Sequence, residues 1–538
     1  MSDLSLWRCD QWLKLFASQS SQVEHLLGGI FGEDRALIAQ RSRFYRHVLE
    51  AARPILGDRT CFVVRCPARV NLMGMHVEHQ GGLENPICIP REHFAVVAPR
   101  DDDEMRLYNV DLSFQQSSVQ LGRLVSPALL EKDWPTYCRQ DAPVSEGLWT
   151  NYVIGAAAQM IRFVKGQPLR GFCMVLGSDI PLARGLSSSA ALVLVVLKAL
   201  ELTNHLTIAD SEMIRMAGAA ELVVGTIGGD GDGSAMINAR AGQCVHHGFF
   251  PYEASTYRLP SELGIVLANS GTRAEKQAGA RDTFNERITC YRLGRMLLNR
   301  ALQAEHKSLE HLGQLAYGEL GLKPARVYPL LKTVPPCMTR EEACQRLALT
   351  DRDELEFIFS THEPPQCGYH VRRRVLFGLA EMQRAHRFRT AAFDGDVHEM
   401  GTLKTIGHNG DRVTWPVANY KTPDDDAYLD LLAINDFPLA YVTGGYECST
   451  PQLDALVDAA RDLHDVYGAG LTGAGLGGSV VILCRRDAID TVIAHLGNKY
   501  YLPRGLPVDH IQEVFPIAGL STMTSLELTA LKQTTTRV

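Results

Sequence analysis

The spacing of apolar residues along this chain predicts that helices and strands are interleaved. In segments 12–16 and 44–49 the apolar residues recur at helical spacing, which predicts a helical N-terminal extension over residues 1–60. Runs rich in apolar and β-branched residues predict strands at 61–65, 93–99, 264–268 and 480–484. Longer apolar or amphipathic stretches predict helices at 152–164, 188–202, 211–224 and 453–467. This mixture predicts an α+β architecture.

A charged stretch punctuated by prolines lies between about 300 and 380, and it predicts a helical insertion. We therefore expect three parts: the extension over 1–60, an N-terminal domain over 61–260, and a C-terminal domain over 261–538 that carries the insertion.

Length and composition narrow the class of protein. The 538 residues are 46% hydrophobic, which excludes a disordered or collagen-like chain, and the formal net charge of -7 provides no basic surface for nucleic acid. None of the thirteen cysteines form a Cys-x-x-Cys pair, and the first residues do not have the pattern of a secretory signal. The longest aliphatic run, 190–197, is too short to cross a bilayer. We expect a cytoplasmic protein with neither nucleic-acid nor membrane partners.

A loop of small residues, PLARGLSSSA at 181–190, runs into the helix predicted from residue 188. Small residues before a helix allow free backbone amides and the positive end of the helix dipole to approach an anion, and phosphate is the natural guest. The serine hydroxyls could also cap the helix or ligate Mg²⁺. An ordinary serine-capped helix explains this loop equally well.

A second loop, LTGAGLGGS at 471–479, matches the dinucleotide-binding pattern at Gly473, Gly475 and Gly478. That pattern has to follow a strand and open a helix. Here the loop is predicted to follow a helix and to open a strand, so we do not expect a dinucleotide-binding fold.

A third segment, RCPARVNLMGMHVEHQGG at 65–82, runs from a strand into polar residues and paired glycines. Arg69, His76, Glu78 and His79 within it are suited to hydrogen-bond a polyol. A metal site is an alternative, because His-x-Glu opens the zinc-deaminase signature, but no Pro-Cys-x-x-Cys follows. A purely structural turn is a further alternative.

A fourth segment, ELVVGTIGGDGDG at 221–233, ends a predicted helix in a glycine-dense loop that carries Asp230 and Asp232. The glycines permit tight turns that aim a carboxylate into a cleft, where it could orient a hydroxyl nucleophile for phosphoryl transfer. A solvated Asp-Gly turn is the simpler alternative.

Taken in order, these segments resemble the GHMP kinase superfamily and, within it, the galactokinases. The polar segment is similar to the galactokinase signature, and the serine and glycine loops resemble the second and third superfamily motifs. The resemblance extends through Trp149–Val153, 269–271, Phe284–Arg287 and 446–449. It implies a ribosomal S5 domain 2-like N-terminal domain, a ferredoxin-like C-terminal domain, and an active site between them.

The resemblance also implies roles for matching residues. Asp232 matches the catalytic aspartate, and Arg69 matches the arginine that assists it. The residues implied to hold the phosphates of ATP are Gly185, Leu186, Ser187, Ser188, Ser189 and Ala190, with Ser188 also implied as a Mg²⁺ ligand. The residues implied to contact the substrate are Met75, His76, Glu78, Gly473 and Gly475.

Departures from the galactokinase pattern concern the substrate. Met75 stands where galactokinases have a glutamate that contacts the hydroxyl on carbon 6, and Glu78 replaces an aspartate that contacts ring hydroxyls. Methionine cannot accept that hydrogen bond. The missing acid and the His79-Gln80 pair are more similar to galacturonokinases, where a glutamate would repel a carboxylate substrate.

Other departures concern the catalytic aspartate and the serine loop. The loop before Asp232 is one residue shorter than in the family, so Asp230 competes for the catalytic role. Arg184 is unusual in the serine loop, where it either contacts phosphate or faces solvent.

These features predict an ATP-dependent sugar 1-kinase that phosphorylates the anomeric hydroxyl of galactose or a galactose-like pyranose. A uronic-acid 1-kinase similar to the galacturonokinases is one alternative. A catalytically silent sugar or nucleotide sensor is another. The expected partners are the sugar and ATP with Mg²⁺, and the oligomeric state stays open.

Overall fold

The structure is a computed structural model that describes residues 6–17, 21–145, 147–226, 229–272, 278–303, 305–415 and 422–523. Its helices are α1 (Cys9–Ala17), α2 (Ser21–Phe31), α3 (Arg35–Leu56), α4 (Leu121–Leu124), α5 (Pro127–Glu131), α6 (Trp134–Gln140), α7 (Thr150–Phe163), α8 (Ser188–Thr203), α9 (Asp210–Ala220), α10 (Gly231–Asn238), α11 (Ala278–Gln303), α12 (Gly313–Ala316), α13 (Pro324–Leu331), α14 (Arg340–Phe359), α15 (Val371–Asp394), α16 (Val397–Asp411), α17 (Asp426–Ile434), α18 (Pro451–Arg461) and α19 (Ile489–Leu496).

The strands within the described ranges form three sheets. They are β1 (Trp7–Arg8), β2 (Thr60–Asn71), β3 (Pro86–Pro99), β4 (Glu104–Asn109), β5 (Ser117–Gln120), β6 (Phe172–Ser178), β7 (Gln243–Phe249), β8 (Tyr252–Arg258), β9 (Leu263–Asn269), β10 (Val466–Thr472), β11 (Ser479–Arg485), β12 (Ile511–Glu513) and β13 (Ser521–Met523). The largest sheet has the order β1-β2-β3-β6-β4-β5, the second is β10-β11-β9-β12, and β7 pairs with β8.

The N-terminal helices pack against the largest sheet. Tyr45 of α3 stacks on Phe94 of β3 with ring centroids 4.1 Å apart, and Trp12 of α1 is buried in the same core. A buried ion pair reinforces this contact, because Arg41 of α3 lies 3.1 Å from Glu92 of β3. The extension is therefore part of the main core, fixed by aromatic burial and by a paired charge.

Two parts of the C-terminal region differ from the expectation. Residues 466–472 form strand β10, where the sequence predicts that a helix continues to residue 467. Strand β13 lies within the part expected to form the C-terminal domain, 261–538, but it pairs with β2 in the largest sheet. The backbone carbonyl of Gly519 accepts a hydrogen bond of 2.7 Å from buried Arg65, which anchors this return.

The region between 300 and 380 is helical and contains α12 to α14 and the start of α15. With α11 and α17 it builds a separate apolar core around Tyr291, Tyr328 and Leu347. In the described ranges, no helix has the length and apolar character needed to span a membrane.

Candidate active site

A cavity of about 880 Å³ lies where the described segments of both large sheets meet, and its wall includes parts of all four segments that the sequence singles out. Of the predicted site residues, those in the wall are Arg69, Met75, His76, Glu78, Gly185, Leu186, Ser187, Ser188, Ser189, Asp232, Gly473 and Gly475. Ala190 is the exception: it is buried in the first turn of α8, with 4% of its surface exposed. Ala190 therefore does not border the cavity.

Arg69, Asp232 and Ser187 form one hydrogen-bonded group. Arg69, near the end of β2, places Nε 2.6 Å and Nη2 2.5 Å from Oδ1 of Asp232, while its Nη1 donates to the carbonyl of Gly185 at 3.0 Å. The hydroxyl of Ser187 donates to Oδ2 of the same carboxylate. One guanidinium therefore ties the aspartate to the serine loop, and both carboxylate oxygens have fixed donors.

The backbone of Ser187 explains its orientation. This residue has a left-handed conformation with φ of 57°, directly before α8 begins at Ser188. Its side chain makes no capping hydrogen bond to the helix, so the cap that the sequence suggests does not form. The hydroxyl is turned toward Asp232 instead.

The glycines around the aspartates make room for two other carboxylates. A Cβ atom at Gly229 would lie 2.4 Å from Oε1 of Glu78, and one at Gly231 would lie 2.1 Å from Oε2 of Glu84. A side chain at either position would displace the carboxylate end of Glu78 or Glu84, so the glycines leave room for both groups. Ile227 and Gly228 of this segment lie outside the described residues.

Asp230 points away from this group. Its Oδ1 lies 2.3 Å from where a Cβ atom of Gly218 in α9 would be, and the residue is absent from the cavity wall that contains Asp232. Burial raises the pKa of Asp230 to about 6, although Arg215 opposes the shift. The geometry therefore favours Asp232 over Asp230 as the reactive carboxylate.

This environment predicts a pH-dependent effect of Asp230→Asn on stability. A pKa raised to about 6 in the folded state means that ionised Asp230 destabilises the fold as pH rises through 6. Asparagine does not ionise, so the variant should gain on the order of 1 kcal/mol more, relative to wild type, at pH 8 than at pH 5. Urea unfolding at both pH values measures this difference. The exposed Asp58→Asn serves as control, and an equal effect of Asp230→Asn at both pH values would contradict the assignment.

Met75 and His76 of the polar segment border the cavity with side chains of different chemistry. Met75 is 2% exposed, and its sulfur lies 3.7 Å from Nζ of buried Lys404. His76 stacks on Tyr446 at 4.3 Å, with Nε2 directed toward Asp411 at 3.6 Å. This stretch of wall is therefore apolar at Met75 and aromatic at His76.

Glu78 remains a charged group in this wall. Burial opposes its ionisation, but the adjacent His79 and the nearby His76 outweigh that effect and lower the pKa of Glu78 to about 2. It is suited to accept hydrogen bonds from hydroxyl groups.

The glycine loop packs on the serine loop. It connects β10 to β11 as an antiparallel pair, so it follows a strand rather than the predicted helix, and it still opens a strand. A Cβ atom at Gly473 would lie 2.6 Å from the carbonyl of Gly185, and one at Gly475 would lie 2.2 Å from that of Cys448. Only glycine allows this approach, which packs the serine loop against the second sheet. Arg184 in turn places Nη2 3.0 Å from Nε2 of His510.

The cavity continues past the serine loop into an aromatic region for which the sequence predicts no role. Phe114 and Trp149 meet edge to face at 6.3 Å, and Tyr152 lies in the same wall. Phe44 of the N-terminal helix α3 completes it. The signal for Trp149 and Tyr152 was the Trp149–Val153 match, which gave a register but no role.

Three models of known families match this chain. The model described as "GHMP kinases N terminal domain" covers residues 151–239, and "GHMP kinases C terminal" covers 426–502. The "Galactokinase galactose-binding signature" covers residues 53–99, which include Arg69 and Met75.

Individual proteins agree with these matches. A galactokinase of Roseiflexus sp. (strain RS-1) is 26% identical over 465 residues, which are 86% of this chain and 91% of that protein. A galactokinase of Bos taurus is 26% identical over 452 residues, 83% of this chain and 89% of its own length. The crystal structure of Lactococcus lactis galactokinase complexed with galactose superposes with a TM-score of 0.61 at 20% identity, covering 88% of this chain and 98% of that one. The fold is the two-domain GHMP kinase fold, and the chain is similar to GHMP kinases in both of its large parts and to galactokinases at residues 53–99.

Proposed function

We propose that this protein is an ATP-dependent sugar 1-kinase that transfers the γ-phosphate of ATP to the anomeric hydroxyl of galactose or a closely similar pyranose. The observation that carries the proposal is the group of Arg69, Asp232 and Ser187, which joins a carboxylate to the serine loop beside the polar segment. The match to the galactokinase signature and relatives that bear the name galactokinase support the choice of sugar.

In this mechanism Asp232 binds the anomeric hydroxyl and accepts its proton as the sugar oxygen bonds to the γ-phosphorus and the bond to the β-phosphate oxygen breaks. Arg69 holds Asp232 in one position and stabilises its negative charge until the proton arrives. Backbone amides at the start of α8 stabilise negative charge on the phosphates. Most of the acceleration comes from positioning and electrostatics.

The hydroxyl oxygens of the serine loop are suitable ligands for Mg²⁺ that is bound to ATP. Mg²⁺ keeps several waters and usually takes only one or two protein oxygens beside the phosphates. The hydroxyl of Ser188 fits that role, since it lies in the cavity wall, 3.2 Å from Nε2 of His93. The described residues hold no cluster of three or more His, Cys, Asp or Glu side chains suited to a metal. When bound, Mg²⁺ would neutralise charge on the β- and γ-phosphates.

Release of ADP with a panel of free sugars tests the proposal: galactose, D-fucose, arabinose, N-acetylgalactosamine and galacturonic acid. We expect turnover of galactose. Because Met75 is apolar, D-fucose, which lacks the hydroxyl on carbon 6, should be used within about tenfold of galactose. A preference for galacturonic acid would instead establish the uronic-acid kinase, and binding of ATP and galactose without ADP release would establish the sensor.

A matched variant sharpens this test. Met75→Glu places a carboxylate beside Lys404, whose pKa burial lowers to about 8. We expect the variant to favour galactose over D-fucose by at least tenfold more than wild type does, because the new carboxylate accepts a hydrogen bond from the hydroxyl on carbon 6. Unchanged relative kcat/KM values for the two sugars would place Met75 away from carbon 6.

A further inference from the structure

Glu84 is a third carboxylate at the sugar end of the cavity. It follows the paired glycines 81 and 82, lies in the cavity wall, and has 11% of its side chain exposed. Burial raises the pKa of Glu84, and the carboxylates of Glu78 and Asp232 raise it further, although His247 opposes them. Glu84 therefore lies close to both carboxylates that the sugar is proposed to meet.

The side chain of Glu84 is held at both oxygens. Oε1 accepts a hydrogen bond of 2.7 Å from Nδ2 of Asn71, and Oε2 lies 3.0 Å from Nε2 of His247. His247 is fully buried and is itself fixed, because its Nδ1 contacts the hydroxyl of buried Ser234. This chain of contacts fixes the carboxylate before any ligand binds.

Two of the acceptor positions on Glu84 are occupied in this way. A carboxylate provides about four lone-pair sites. Among the described residues, Asn71 and His247 are the side chains that donate to it, and the carboxylate borders the cavity. The remaining acceptor capacity is thus available to a ligand that fills the cavity.

We propose that Glu84 determines sugar specificity by accepting a hydrogen bond from a ring hydroxyl other than the anomeric one. This inference rests on the proposed function, in which Asp232 takes the anomeric hydroxyl. Glu84 then supplies an acidic acceptor in a wall where Met75 supplies none. The ligand class is a neutral polyol, since a carboxylated sugar would meet Glu78 and Glu84 together.

D-fucose, which is 6-deoxygalactose, serves as the reference for a hydroxyl outside the ring. The sugars that test this role in kinetics of Glu84→Gln are 2-, 3- and 4-deoxygalactose. Wild type should lose at least tenfold in kcat/KM on one of these sugars relative to galactose. Glu84→Gln should lower kcat/KM for galactose by a similar factor. Its kcat/KM for that one deoxy sugar should equal the wild-type value, and its KM for ATP should be unchanged. Such coupling between one side chain and one hydroxyl does not arise from a structural role.

Two controls keep the outcomes distinct. Glu201→Gln removes a carboxylate that is also buried but is paired with Lys198 on α8, and it should leave every sugar ratio unchanged. If Glu84→Gln is too unstable to assay, Glu84→Asp withdraws the carboxylate by one methylene and should show the same selective coupling.

Equal losses on all the deoxy sugars in the variant, or no losses, would overturn the role of Glu84. Absence of sugar phosphorylation by wild type would instead overturn the proposed function itself.

Discussion

Asp232→Asn should lower kcat by a factor on the order of 10³ or more, because asparagine cannot accept the proton of the anomeric hydroxyl. The side chain keeps its size, so Arg69 and Ser187 still surround it, although one of its two oxygens is replaced by a donor. The Kd for ATP should stay within about threefold of the wild-type value, since the serine loop is unchanged. Steady-state ADP release and nucleotide titration measure the two effects.

The matched control is Asp230→Asn, at the residue directly before α10, whereas Asp232 lies in the first turn of that helix. Its carboxylate packs toward Gly218 and does not border the cavity, so turnover should remain within about threefold of wild type. The reverse pattern, with Asp230→Asn inactive and Asp232→Asn active, would show that Asp230 is the base.

Arg69→Lys should lower kcat by about 10²-fold with a smaller change in the sugar KM. The guanidinium reaches Asp232 through two nitrogens and the carbonyl of Gly185 through a third, and a single ammonium cannot reproduce this planar geometry. Asp232 would then sample positions away from the hydroxyl, a loss felt mainly in the transition state.

Arg91→Lys is a suitable control for Arg69→Lys. Arg91 lies 3.5 Å from Asp179, is one-third exposed, and does not border the cavity. We expect it to retain wild-type kcat. Equal kcat values for Arg69→Lys and wild type would show that Arg69 does not position the base.

Local sequence was sufficient to predict which segments border the cavity. The serine loop and the polar segment each place residues with special backbone conformations and residues with polar side chains within a few positions. Such local motifs can be recognised in a single sequence. The resemblance paired Arg69 with Asp232, and the structure places these two side chains in contact. It also brings Ser187 to Asp232 and Gly473 against Gly185, two contacts that the sequence did not predict.

Pairings between distant segments were not predictable. Glu84 is matched by His247, which is 163 positions further along the chain, and neither residue has a local signature. The direction of Asp230 depends on packing against Gly218 of α9, and the return of β13 to β2 depends on pairing across most of the chain. Strand β10 was missed because its apolar residues continue the helical pattern of α18.

The most direct test is ³¹P NMR of the full chain with Mg²⁺, ATP and galactose. We expect loss of the γ-phosphate signal of ATP, formation of ADP, and a new phosphomonoester signal coupled to the anomeric proton of the sugar, all absent with Asp232→Asn. Phosphorylation of any other hydroxyl, or release of inorganic phosphate at the same rate with and without galactose, would contradict the assignment of a sugar 1-kinase.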